Sequence, residues 1–203
     1  MMKPVLAALA ALAIASAPAS AAPVVGKPAP NFKLADANGK VVTLSDYRGK
    51  TVVLEWHNPG CPFVKKHYGS GNMQKTQAAA AKAGVVWLTI NSGAPGKQGH
   101  MSGAEAKAFV ASAGARPAAY LLDYRGVVGK AYDAKTTPHM YVVNKTGTLV
   151  YAGGIDDKPS ANPADIAGAR NHVLAALSEL QAGKAVSVAT SRPYGCSVKY
   201  ADS

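Results

Sequence analysis

Cys61 is the residue whose position carries the most chemistry. It follows the break Asn58-Pro59-Gly60 after the β-branched run Thr51 to Trp56, and it precedes Pro62. Proline suits the first position of a helix, so a helix is expected to start there. A cysteine at a helix start meets unpaired backbone N–H groups and the positive end of the helix dipole. Both stabilise the thiolate, which is the reactive form. Lys65, Lys66 and His67 follow within two turns and are expected to add positive potential. Cys196 is the second thiol. A sulfenic acid on Cys61 condenses with a nearby thiol to a disulfide. Loop closure costs only modest entropy over long separations, so a tail can deliver that thiol. Two roles for Cys196 stay open: a resolving thiol, or a structural staple worth ~2–5 kcal/mol. Glu55 lies six residues before Cys61. In a buried strand its carboxyl would have a raised pKa and could act as general base. It could equally sit at a wet edge or pair with a lysine.

The elements that position these groups alternate. Asn31 to Leu34 and Val41 to Leu44 flank Asp36-Ala37-Asn38-Gly39, a hairpin signal. Thr51 to Trp56 and Val85 to Ile90 read as strands buried on both faces. A helix is expected from Pro62 toward Ala83, closed by Gly84. Ser102 to Glu105 has the pattern of a capping box for a helix reaching about Ala113. Ala118 to Leu122 reads as a strand, and Val127 to Tyr132 as a short helix. His139 to Val143 and Thr148 to Tyr151 form a second hairpin. The last helix is expected from Asn162 to about Leu180, with an irregular tail after Gly183. The order implies an α/β chain with a central mixed β-sheet flanked by helices, an N-terminal β-hairpin and an irregular C-terminal tail.

Composition narrows the classes. With 48% hydrophobic and 16% charged residues among 203, a packed core is available and wholesale disorder is excluded. Two cysteines cannot build a disulfide-dense scaffold or a four-cysteine zinc site. The net charge of +11 includes no long basic run, so it reads as solvated surface and not as a nucleic-acid site. Residues 1–21 have the pattern of a signal peptide: Met1-Met2-Lys3, an apolar run from Val5 to Ala17, then Ala19-Ser20-Ala21. The apolar run is too short to span a bilayer, so stable membrane insertion is not expected. Residues 22–203 are expected to form one domain, periplasmic or secreted, in an oxidising compartment.

Several segments together resemble the alkyl hydroperoxide reductase/thiol-specific antioxidant (redoxin) family. They are Pro28-Ala29-Pro30-Asn31-Phe32-Lys33-Leu34, Leu44-Ser45-Asp46-Tyr47-Arg48-Gly49-Lys50-Thr51-Val52-Val53-Leu54, and Thr137-Pro138 before a strand. The resemblance covers roughly Val24 to Gly154. Asn58-Pro59-Gly60-Cys61-Pro62-Phe63-Val64-Lys65-Lys66-His67-Tyr68 and the tail Arg192-Pro193-Tyr194-Gly195-Cys196-Ser197-Val198-Lys199-Tyr200 resemble a peroxiredoxin-like subgroup of it. The resemblance implies a thioredoxin-like fold with a cis-proline at Pro138 abutting the active cysteine. It implies Cys61 as nucleophile toward peroxide or disulfide substrates, Cys196 as resolver, and an unidentified thiol as reductant, with no cofactor. Thr137 and Pro138 would shape the substrate groove, with Phe63 and His139 beside them. The departures are equally plain. Val64 stands where a thioredoxin has its second cysteine. Asn58 and Leu54 stand where a peroxiredoxin has Thr and Pro, and Asn58 would supply the missing donor. The alternative is a non-catalytic binding module, or a copper-handling one in which His57, His67 and His139 crowd Cys61 and the Cys61–Cys196 bond is structural.

Overall fold

The computed structural model of the protein describes residues 22–201. The leader expected over 1–21 lies outside the described residues. A seven-stranded sheet runs β2-β1-β5-β4-β3-β7-β8. Its strands are β1 (Lys33–Asp36), β2 (Val41–Thr43), β3 (Val52–Trp56), β4 (Val86–Asn91), β5 (Ala119–Leu122), β7 (His139–Val143) and β8 (Leu149–Gly153). The central strands β3, β4 and β5 are parallel, and antiparallel partners flank them on both sides. The short strands β6 (Thr136–Thr137) and β9 (Cys196–Ser197) pair separately.

Strand alternation divides the core into two faces. One side gathers Leu54, Trp56, Leu88, Ile90, Leu121 and Tyr141 beneath helix α4 (Val127–Ala131). The other gathers Val53, Trp87, Met140 and Val142 with Cys61 beneath α1 (Pro62–Gly69), α2 (Asn72–Lys82) and α5 (His172–Gln181). Helix α3 (Gly103–Ser112) carries the expected capping box: Ser102 and Glu105 each bond the other's backbone N–H, at 3.3 and 2.7 Å.

Two expected helices are broken. The segment from Pro62 to Ala83 is two helices, because Gly71 turns left-handed at φ 74° while Ser70 Oγ donates to the Lys66 carbonyl at 2.7 Å. The segment from Asn162 begins as a 3-10 turn over Pro163–Gly168. The helix proper starts only at His172, where Asn171 Oδ1 accepts from Leu174 N at 2.9 Å.

Candidate active site

Three local devices place Cys61. The preceding strand β3 is fully buried and ends at Trp56, and the next residue, His57, bonds the Ile90 carbonyl through its N–H at 2.9 Å. Asn58 then folds the chain back: its Oδ1 accepts from Gly60 N at 2.8 Å and its carbonyl accepts from Cys61 N at 3.1 Å. Cys61 becomes the N-cap of α1, with Pro62 inside the first turn as expected. The thiol is 1% exposed, and its Sγ donates to the carbonyl of Thr137 at 3.0 Å. The Thr137–Pro138 bond is cis, as the resemblance implies.

Cys196 reaches the same residue from the other end of the chain. Strand β9 pairs antiparallel with β6, in register Thr137 to Cys196 and Thr136 to Ser197. The tail is therefore an ordered strap. It is tied to β8 by the Ser191 N–H to Ala152 carbonyl bond at 3.2 Å, and to the loop before β6 by Val198 N to Lys135 O at 3.1 Å. Beyond Cys196, Lys199 O accepts from Ala94 N at 2.9 Å, and Tyr200 OH donates to Ala134 O at 2.8 Å. Gly195 is required where the strap crosses: its φ is 135°, and a Cβ there would fall on the Thr137 carbonyl.

Both cysteines are free thiols, and they differ electrostatically. Burial raises the pKa of Cys61, but hydrogen bonds from the Cys196 thiol and from the Val64 and Cys196 backbone outweigh it, and the net shift is downward. Burial and the neighbouring Cys61 push Cys196 up to about 11. The pair is thus a thiolate-prone group and a proton-bearing group in contact.

Other expected site residues are placed differently. Asn58 spends its amide on Gly60 and, through Nδ2, on Gln98 Oε1 at 3.0 Å, so it shapes the turn and does not point a donor at the thiol. Glu55 is fully buried. Its carboxylate accepts from Tyr68 OH and Trp87 Nε1 at 2.8 Å and from Thr89 Oγ1 at 3.0 Å, with Gln77 Nε2 at 3.5 Å. Burial raises its pKa, and those four donors oppose the rise. His139 is on the wrong face. It shares strand parity with Tyr141, against which its ring packs at 4.5 Å, whereas Cys61 lies with Met140 and Val142. Thr137 and Pro138 are at the thiol, but the Thr137 edge of the expected substrate groove is filled by β9. Phe63 is half-buried against Tyr194, at the mouth of a ~540 Å³ cavity that Thr136, Arg192 and Gly195 also line. His57 packs among Tyr68, Phe109 and Tyr120, and burial lowers its pKa to about 3. No cluster of three or more His, Cys, Asp or Glu able to hold a metal occurs among the described residues.

One group was missed. Lys66 and His67 do not project positive potential toward Cys61; both are buried, facing Asp156 at 4.0 and 3.9 Å. Tyr194 of the strap joins them: its hydroxyl donates to Asp156 Oδ1 and lies 3.2 Å from His67 Nε2. Two adjacent basic residues at a helix end usually mean solvent. Only the partner 90 positions later, outside any local pattern, reverses that reading.

The comparisons with known proteins bear on the family and the fold. The model of the AhpC/TSA family matches residues 25–152. A curated relative, the thiol-disulfide oxidoreductase ResA of Bacillus subtilis (strain 168), is 31% identical over 132 residues, which is 62% of this chain and 64% of the relative's length. Two crystal structures align over most of the fold. A hypothetical protein from Sinorhizobium meliloti 1021 is 26% identical, with a TM-score of 0.75 over 91% of this chain and 98% of that one. An uncharacterized conserved protein from Geobacillus kaustophilus is 28% identical, with a TM-score of 0.73 over 89% and 94%. The fold is thioredoxin-like, and the chain belongs to the AhpC/TSA family.

Proposed function

We propose that this protein is a thiol-dependent oxidoreductase, working outside the cytoplasm, whose redox couple is Cys61 and Cys196. The observation that carries the reading is the convergence of both cysteines on Thr137, Cys61 by its thiol at the head of α1 and Cys196 by its backbone in β9. In the oxidative half-reaction the Cys61 thiolate attacks a sulfur of a substrate disulfide. That S–S bond breaks, one substrate thiolate leaves, and a mixed disulfide forms on Cys61. Cys196 then attacks the Cys61 sulfur and expels the second thiolate. With a peroxide the first product is a sulfenic acid and the second leaving group is water. Two external thiols, or one dithiol, return the two electrons and are themselves oxidised to a disulfide.

The asymmetry of the pair orders these steps. While Cys61 is an anion, its charge and hydrogen bond keep the proton on Cys196. Once Cys61 carries a substituent that charge is gone, and Cys196 releases its proton toward the departing group. A buried Cys61 also suits a static staple in a binding module. The two readings separate on one experiment. Mature reduced protein receives one equivalent of oxidised dithiothreitol or hydrogen peroxide, and peptide mass spectrometry follows the thiols. A Cys61–Cys196 peptide that forms and is reversed by a dithiol supports the oxidoreductase. A bond that forms once and resists a dithiol in the folded protein supports the staple.

A further inference from the structure

We infer that Tyr194 is a positioning residue for the resolving step: it is anchored on α1 by a directed chain of hydrogen bonds ending on Asp156, and so it holds Cys196 against Cys61. The inference rests on the proposed Cys61–Cys196 couple. Helix α1 presents Phe63, Lys66 and His67 at i, i+3 and i+4, on one face. All three meet Tyr194: the Phe63 ring lies at 5.8 Å, the Lys66 ammonium lies over the tyrosine ring at 5.7 Å, and His67 Nε2 approaches the hydroxyl. The residue that caps this helix is Cys61, and the residue two positions after Tyr194 is Cys196. One helix therefore holds one sulfur and grips the strap next to the other.

Each link has one direction. Asn72 Nδ2 donates to His67 Nδ1 at 2.8 Å, so the imidazole proton sits on Nε2. That N–H donates to the Tyr194 oxygen at 3.2 Å. The Tyr194 O–H donates to Asp156 Oδ1, which also accepts from Lys158 N at 3.0 Å. Lys66 Nζ donates to the Lys158 carbonyl at 3.0 Å and faces Asp156, so the buried carboxylate has a counter-charge. The neutral state this chain needs agrees with burial holding His67 down to about 4. A thiol on a loose tail reaches only a millimolar-scale effective concentration, whereas a docked one is far higher. Loosening Tyr194 must then weaken the intramolecular disulfide relative to an external one.

The test equilibrates the full mature chain in glutathione redox buffers, quenches with an alkylating reagent and counts the Cys61–Cys196 peptide by mass spectrometry. Tyr194→Phe keeps the ring and breaks the relay; about a five- to tenfold shift toward the dithiol is expected. Tyr194→Ala shifts it further, and Asn72→Leu shifts it the same way by less. Tyr132→Phe removes another buried hydroxyl, which bonds the Pro30 carbonyl at 2.7 Å, and leaves the equilibrium at the wild-type value. A wild-type equilibrium constant in folded Tyr194→Phe and Tyr194→Ala overturns the positioning role. A wild-type chain that never forms the disulfide at any poise overturns the couple itself, and the role with it.

Discussion

The Sγ of Cys61 bonds the carbonyl of Thr137 at 3.0 Å, and Thr137 is also the residue that pairs with Cys196 across β6 and β9. One residue is thus met by the Cys61 thiol and by the Cys196 backbone. Any ligand that pairs with this edge must first move the strap.

The electrostatic contrast between the thiols is directly measurable. Thiolate absorbance near 240 nm should rise in two steps, the first below the ordinary thiol range and the second near pH 11. Cys196→Ala removes a donor to the Cys61 thiolate, so the remaining step moves to higher pH. A step that stays in place would show that the helix terminus alone depresses Cys61.

Acid should unfold this protein early. Burial lowers His57 to about 3 and, as the main cause, His67 and His139 to about 4. Unfolded, each titrates near ~6.5. Between those values the unfolded chain binds more protons than the folded one, so stability is present above pH ~6.5 and is lost as pH falls toward 4. Three such groups give a slope of up to about 4 kcal/mol per pH unit. Glu55 acts in the opposite sense, because its raised pKa makes the folded state the better proton acceptor. Urea midpoints measured from pH 7 to 4 should fall, and His57→Phe should remove about a third of the slope.

Glu55 is predicted to hold the sheet together, with no part in the redox step. Its four hydrogen-bond partners are Tyr68, Gln77, Trp87 and Thr89, and Cys61 is not among them. Glu55→Gln turns an amide toward donors and should cost about 2–4 kcal/mol in denaturant unfolding. The Cys61 titration should stay in place. A displaced titration in a folded variant would restore the general-base role.

Gly195→Ala should release the strap. The added Cβ meets backbone at Thr137, which cannot swing aside as a side chain can, and the φ of 135° is already unfavourable for alanine. Overpacking of this kind is worth about 1–3 kcal/mol, so iodoacetamide should alkylate Cys196 roughly tenfold faster or more than in wild type.

Much of this was legible in residues 25–152, where the signals are local. Buried parallel strands read as continuous apolar runs, and Ser102 with Glu105 announced a helix start that the fold confirms. Pro62 marked the start of α1 after Cys61, and the family resemblance put a cis Thr137-Pro138 step against that cysteine. His139 was misplaced by ignoring parity: its neighbours Tyr141 and Val143 face the Trp56 side, so its ring had to as well. Helix ends were lost where Gly71 and Asn171 act through a single residue's geometry. The strap was unreadable, because a two-residue strand has no period and its partners lie far back in the chain.

The strap also decides how this protein can be made. Cys196 follows Cys61 by 135 residues, and its slot exists only after β6 and the helix α1 grip have formed. A Cys61–Cys196 bond can therefore close only late in folding. With two cysteines in the chain there is one intramolecular pairing and no wrong isomer to reshuffle. Errors can arise only between molecules, during the interval in which the early thiol waits uncovered for the late one.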